Sequence, residues 1–129
     1  MVNKTIAIIQ ARLTSTRFPN KILEKVNNKT LIEILISRLN KSKKIDQIVV
    51  ATPNDKSNRK IKNYVGNTKI FFGSENDVLD RYYKASTKYK ASTIVRICAD
   101  CPFIDPTVID KIINLFNKNN LDYASNTIL

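Results

Sequence analysis

Ile6-Ala7-Ile8-Ile9 is apolar at four successive positions. A strand with one wet face alternates polar and apolar residues, whereas a strand covered on both faces reads as a continuous apolar run. The stretch from Thr5 to Ala11 therefore predicts a first strand inside a parallel sheet, with helices packed on both sides. It runs straight into Arg12-Leu13-Thr14-Ser15-Thr16-Arg17-Phe18-Pro19-Asn20-Lys21. In an open α/β sheet, ligands bind beyond the carboxyl ends of the strands. Arg12, Arg17 and Lys21, with hydroxyls on Thr14, Ser15 and Thr16 between them, suit a ligand with several anionic oxygens. A nucleoside triphosphate is the common candidate, and a merely solvated basic loop is the alternative.

The rest of the chain keeps alternating strand and helix. Asn27-Asn28-Lys29 reads as a turn. Thr30-Leu31-Ile32-Glu33 fits a capping box, with Thr30 as cap and Glu33 reaching back, and Leu31, Ile34, Leu35 and Leu39 form the apolar stripe of that helix. A second strand is expected over Ile45 to Thr52, a weaker polar helix over Ser57 to Val65, and a short third strand over Lys69 to Phe72. A helix from about Asp77 to Tyr89 carries Val78, Leu79, Tyr82 and Ser86 on one side. Thr93 to Cys98 is the fourth strand. Asp105 and Pro106 open the last helix, as cap and first helical residue, with Ile109, Ile112, Ile113 and Phe116 as its buried stripe. Leu121 to Ala124 begins a further strand. At 129 residues the chain is read as one domain spanning 1–129, incomplete at its C-terminal end.

Several chemistries are excluded by what is missing. There is no His, so no imidazole base, no Ser-His or Cys-His nucleophile pair and no HExxH zinc site can be written. Gly66 and Gly73 are the only glycines, which rules out a Walker A loop and a GxGxxG turn. Side chains must therefore carry most of any phosphate binding. The net charge of +11 suits a polyanionic partner. The lysines, however, are spread over every expected element without a run of five, which does not favour a nucleic-acid stripe. No apolar stretch reaches the roughly 18 residues of a membrane span, and the N-terminus lacks the features of a secretory signal. The expectation is a cytoplasmic protein with no nucleic-acid or membrane partner.

A second site candidate follows the fourth strand, in Ala99-Asp100-Cys101-Pro102. Asp100 is expected at the same sheet edge as the cationic loop. A carboxylate beside a triphosphate suits Mg²⁺, which takes one or two protein carboxylates plus phosphate oxygens. The competing reading is a turn aspartate bonded to its own backbone. Cys98 and Cys101 form one CxxC, too few ligands for zinc and set apart from a helix N-terminus. Cys98 is read as core and Cys101 as incidental. Asp77 and Asp80 suit a first helical turn. Arg81 does not, so it is expected either to serve a ligand or to pair with Asp80.

Taken together and in order, these segments resemble the cytidylyltransferase family. They are Ile8 to Lys21, Ile48 to Thr52, Gly73 to Tyr83, Val95 to Pro106 and Asp122 to Asn126. The nearest branch is spore coat polysaccharide biosynthesis protein F. Acylneuraminate and 3-deoxy-manno-octulosonate cytidylyltransferases are more distant. The resemblance implies a Rossmann-like three-layer α/β sandwich with a mostly parallel sheet, of the nucleotide-diphospho-sugar transferase type, here its N-terminal part. It implies an enzyme in surface polysaccharide biosynthesis that uses CTP to activate a sugar, in particular a sugar acid, giving a CMP-sugar and pyrophosphate.

By the same resemblance, Arg12 and Lys21 are the catalytic pair on the triphosphate. Ala11, Thr14, Ser15 and Arg17 join them in nucleotide binding. Asp100 holds Mg²⁺, and Asp77, Asp80 and Arg81 face the substrate. The family usually carries Gly where Thr14, Asn20 and Ala99 stand, and it continues well beyond this length. A non-catalytic nucleotide-binding or partner-docking module stays open as the other function, as does completion of the fold by a homodimer or a second chain.

Overall fold

A computed structural model describes residues 4–13, 20–99 and 104–119. Thr14, Ser15, Arg17 and Asp100 of the candidate site, together with Cys101 and the strand expected from Leu121, lie outside the described residues. The elements are β1 (Thr5–Gln10), a 3-10 turn (Lys21–Leu23), β2 (Lys25–Val26), β3 (Lys29–Thr30), α1 (Leu31–Leu39) and β4 (Gln47–Pro53). There follow a 3-10 helix (Lys56–Tyr64), β5 (Lys69–Gly73), α2 (Val78–Lys88), β6 (Thr93–Cys98) and α3 (Pro106–Lys118).

The main sheet has the order β5-β4-β1-β6 and every pairing in it is parallel. β1 is central, and its Ile6, Ala7, Ile8 and Ile9 are fully buried, as an unbroken apolar run requires. Ala7 and Ile9 point into a core shared with α1, α3 and Ile61 of the 3-10 helix. Ile6 and Ile8 point the other way, into a core shared with Tyr82 and Ala85 of α2. The result is the expected three layers.

Helix ends follow their capping residues. Thr30 Oγ1 accepts from the Glu33 N–H at 3.2 Å, Asp77 Oδ1 from the Asp80 N–H at 3.0 Å, and Asp105 Oδ1 from the Thr107 N–H at 2.9 Å. Of the capping box, the bond from the Glu33 N–H to the Thr30 side chain forms, and Thr30 also lies opposite Lys25 in a small hairpin. That hairpin turns on Asn27 and Asn28, both with positive φ (52° and 69°), the geometry of a two-residue type I′ turn.

Other expectations shift by a residue or two. The polar segment is 3-10 rather than α. Its buried residues Asn58 and Ile61 lie three apart, which matches three residues per turn. On α1 the buried stripe is Ile32, Leu35, Ile36 and Leu39, with Leu31 and Ile34 half-buried. On α3 Ile109 and Ile113 are buried, while Ile112 and Phe116 are half-buried. On α2 the stripe is Val78, Tyr82, Ala85 and Tyr89, and Leu79, one position round the helix, is 71% exposed. Cys98 is exposed and not core. Its strand is an edge among the described residues, and α2, the one described helix on that face, packs over β1, β4 and β5 instead.

Candidate functional site

The strands end together along one edge. Gln10 of β1 lies opposite Ala51 of β4 and Cys98 of β6. The Ala99 N–H, directly before Asp100, donates to the Gln10 carbonyl at 3.0 Å. At the far side the Asn54 N–H donates to the Gly73 carbonyl at 2.8 Å. The segments that follow β1, β4, β5 and β6 therefore start at this edge.

The described ends of the first loop are pinned. The Ala11 N–H donates to the Ala51 carbonyl at 3.0 Å, and Ala11 is fully buried. Arg12 is exposed. Leu13 is buried, and its N–H donates to Asn58 Oδ1 at 2.7 Å. The Leu13 carbonyl accepts from the Asn20 N–H at 2.9 Å, and the Asn20 carbonyl accepts from the Leu23 N–H at 2.9 Å. Lys21 is thus the first residue of a 3-10 turn whose cap is tied to Leu13. The N–H groups of Ala11 and Leu13 are committed to the protein.

Arg81 comes to the same edge from the start of α2. It is 1% exposed. Its Nε donates to the Ser74 carbonyl at 2.9 Å and its Nη2 to the Glu75 carbonyl at 3.3 Å. Nη1 is buried and has no hydrogen-bond partner among the described residues. Burial, and after it the charge of Arg12, lower the Arg81 pKa from its ordinary value. Arg12 and Arg81 therefore sit within electrostatic reach of each other, although 69 residues separate them in sequence (81 − 12). Gly73 makes room for this: a Cβ there would lie 2.8 Å from Arg81 Cγ and 2.7 Å from Phe71 Cε2.

Asp77 and Asp80 have structural work. Asp77 caps α2, and its own N–H donates to Ser74 Oγ at 3.1 Å. Asp80 pairs with Lys84 at 3.2 Å, one turn on, and not with Arg81. No group of three or more His, Cys, Asp or Glu among the described residues could hold a metal ion. A divalent cation would need a shared site, for which Asp100, the expected carboxylate, lies outside the described residues. Two contributors were not legible in the sequence. Asn58 lies in a polar segment far from the loop it holds, and the clamp on Arg81 is made of backbone carbonyls. The one available signal was a glycine placed directly before Ser74.

The cytidylyltransferase family model matches residues 6–129. The chain belongs to the cytidylyltransferase family. An uncharacterized protein of Methanocaldococcus jannaschii is 47% identical over 95% of this chain and 51% of its own length. Spore coat polysaccharide biosynthesis protein SpsF of Bacillus subtilis is 34% identical over 95% of this chain and 54% of its own. The solved structure of a cytidylyltransferase from Leptospira borgpetersenii superposes with a TM-score of 0.87 at 34% identity, covering 92% of this chain and 50% of that one. The chain spans about half the length of the curated relatives it matches. One departure from the cytidylyltransferase pattern has a visible reason. Asn20, where the family usually has Gly, has φ 58°, and Asn is the residue after Gly that best tolerates that conformation.

Proposed function

We propose that this chain is the nucleotide-binding part of a cytoplasmic CTP-dependent nucleotidyltransferase that activates a sugar acid for surface polysaccharide synthesis. The observation that carries the reading is that Arg12 follows the carboxyl end of a parallel-sheet strand, with Lys21 in the turn tied by backbone to Leu13 and the Arg81 clamp beside the end of β5. In such a reaction a sugar oxygen forms a bond to the α-phosphorus of CTP as the bond to pyrophosphate breaks. The protein's part is positioning and charge neutralisation.

Arg12 offers a planar fork to phosphate oxygens, and Lys21 a compact charge able to follow the α-phosphate. Thr14, Ser15 and Arg17 complete the cradle, with Ala11 as its buried floor. Asp77, Asp80 and Arg81 belong to the sugar side, where Arg81 has the most capacity because its Nη1 has no hydrogen-bond partner among the described residues. Mg²⁺ held by Asp100 and phosphate oxygens would supply further neutralisation of the transferring group. Nucleotide binding without turnover is the second reading.

Calorimetry with CTP, ATP, GTP and UTP, with and without Mg²⁺, tests the site. CTP is expected to bind best. Lys21→Ala should weaken it about 10- to 100-fold, the worth of one charge-assisted hydrogen bond. Asp100→Ala should weaken it only when Mg²⁺ is present. A folded chain that binds no nucleotide would sink the proposal. Pyrophosphate release from CTP with a sugar acid separates turnover from binding alone.

A further inference from the structure

Asn58 is fully buried and sits 45 residues from the backbone group it serves. Its Oδ1 accepts from the Leu13 N–H at 2.7 Å. Its Nδ2 donates to both carboxylate oxygens of Asp55, each at 2.8 Å. Asp55 Oδ1 also accepts from the Asn58 N–H at 2.9 Å, capping the 3-10 helix. The amide can face only one way. A carboxylate only accepts and a backbone N–H only donates, so the NH₂ end must meet Asp55 and the oxygen must meet Leu13.

The chain of bonds continues from the Leu13 carbonyl to the Asn20 N–H and from the Asn20 carbonyl to the Leu23 N–H. Arg12 and Lys21 each adjoin a link of this chain, one before Leu13 and one after Asn20. We propose that Asn58, oriented by Asp55, is the positioning residue that sets the spacing of Arg12 and Lys21 for the triphosphate. The inference rests on the assignment of those two cations to the nucleotide. Binding groups held to a fraction of an ångström keep their advantage, and small displacements cost up to about 100-fold.

Three residue pairs at positions 55 and 58 separate positioning from simple folding. Asn58→Asp sets two carboxylates at hydrogen-bond distance, where one must take up a proton or the pair must part. The exchange Asp55→Asn with Asn58→Asp restores three of the four bonds: the one from Leu13, the cap, and one of the two side-chain bonds between the positions. The amide introduced at position 55 would cap with its oxygen and donate its NH₂ to the carboxylate introduced at position 58, which would still accept from Leu13. Calorimetry with CTP and Mg²⁺ would be run on the unaltered chain, the single variant, the exchange and Lys21→Ala, with thermal unfolding of each and amide hydrogen exchange at Leu13.

Asn58→Asp should weaken CTP roughly 10-fold or more and speed Leu13 exchange, and the exchange variant should recover CTP affinity to within about threefold. A folded Asn58→Asp chain that binds CTP normally overturns the inference. So does an exchange variant that folds but does not regain affinity, whether or not the single variant folds. If Lys21→Ala leaves CTP binding intact, the nucleotide assignment itself falls, and the inference with it.

Discussion

Asn20 holds a left-handed backbone angle at the cap of the turn that carries Lys21. An ordinary L residue there costs roughly 1–2 kcal/mol, while Gly removes the strain but adds freedom to the unfolded chain. Asn20→Gly should therefore leave the denaturant midpoint nearly unchanged, and Asn20→Val should lower stability by about 1–2 kcal/mol. A Val variant as stable as the parent would show that the angle is not required. Gly73 is limited by space instead of angle. Gly73→Ala would press on the Arg81 stem and the Phe71 ring edge, an overpacking that typically costs about 1–3 kcal/mol. The expected result is a lower melting temperature. An unchanged one would mean that Arg81 can withdraw from its carbonyl clamp without loss.

Asp110 does at the level of elements what Asn58 does for the first loop. From α3, it accepts from Ser42 Oγ and from the N–H groups of Lys43 and Lys44 (2.9 and 3.3 Å), fastening the turn between α1 and β4. Burial would raise its pKa, but the bonds from Lys43, Ser42 and Lys44 outweigh it and the net shift is downward. A carboxyl with a folded pKa below its unfolded one stabilises the protein above the unfolded value. That contribution fades as pH falls through the folded value. Asp110→Asn should thus lose stability at neutral pH, by about 1 kcal/mol for a partly exposed site, and should flatten the acid limb of the stability profile. Parallel stability curves for the two proteins below pH 4 to 5 would contradict this.

Elements of this kind were mostly legible. The capping residues Thr30 and Asp105, the buried β1 and the strand–helix alternation are local signals, and local physics decides them. The two-residue strands β2 and β3 were not legible, because only the positive φ of Asn27 and Asn28 reveals that their turn makes a hairpin. Arg12 and Lys21 could be read as a cationic loop, but Asn58, which bonds Leu13 in that loop, is long-range, and the Ser74 and Glu75 carbonyls that hold Arg81 carry no side-chain signature.

For the molecule as a whole, the unequal covering of the sheet matters most. One face has α1, α3 and the 3-10 helix, and the other has only α2 among the described residues. On the α2 side, β6 presents Ile94, Arg96 and Cys98. Ile94 is 40% exposed, and Arg96 lies over the Tyr82 ring at 4.5 Å, a cation–π contact that screens part of the gap. Cys98 was expected in the core because a strand between two helical layers buries alternate residues on each side. That rule fails where a layer stops short. The consequence is chemical: an exposed thiol reacts while a buried one is protected. With Cys101→Ser removing the other cysteine, the folded protein should expose one thiol to a disulfide reagent at a rate close to that of a free thiol. Protection of Cys98 that persists on dilution would mean that the face is covered within the chain. Protection that disappears on dilution would mean that a second copy covers the side that α2 leaves open.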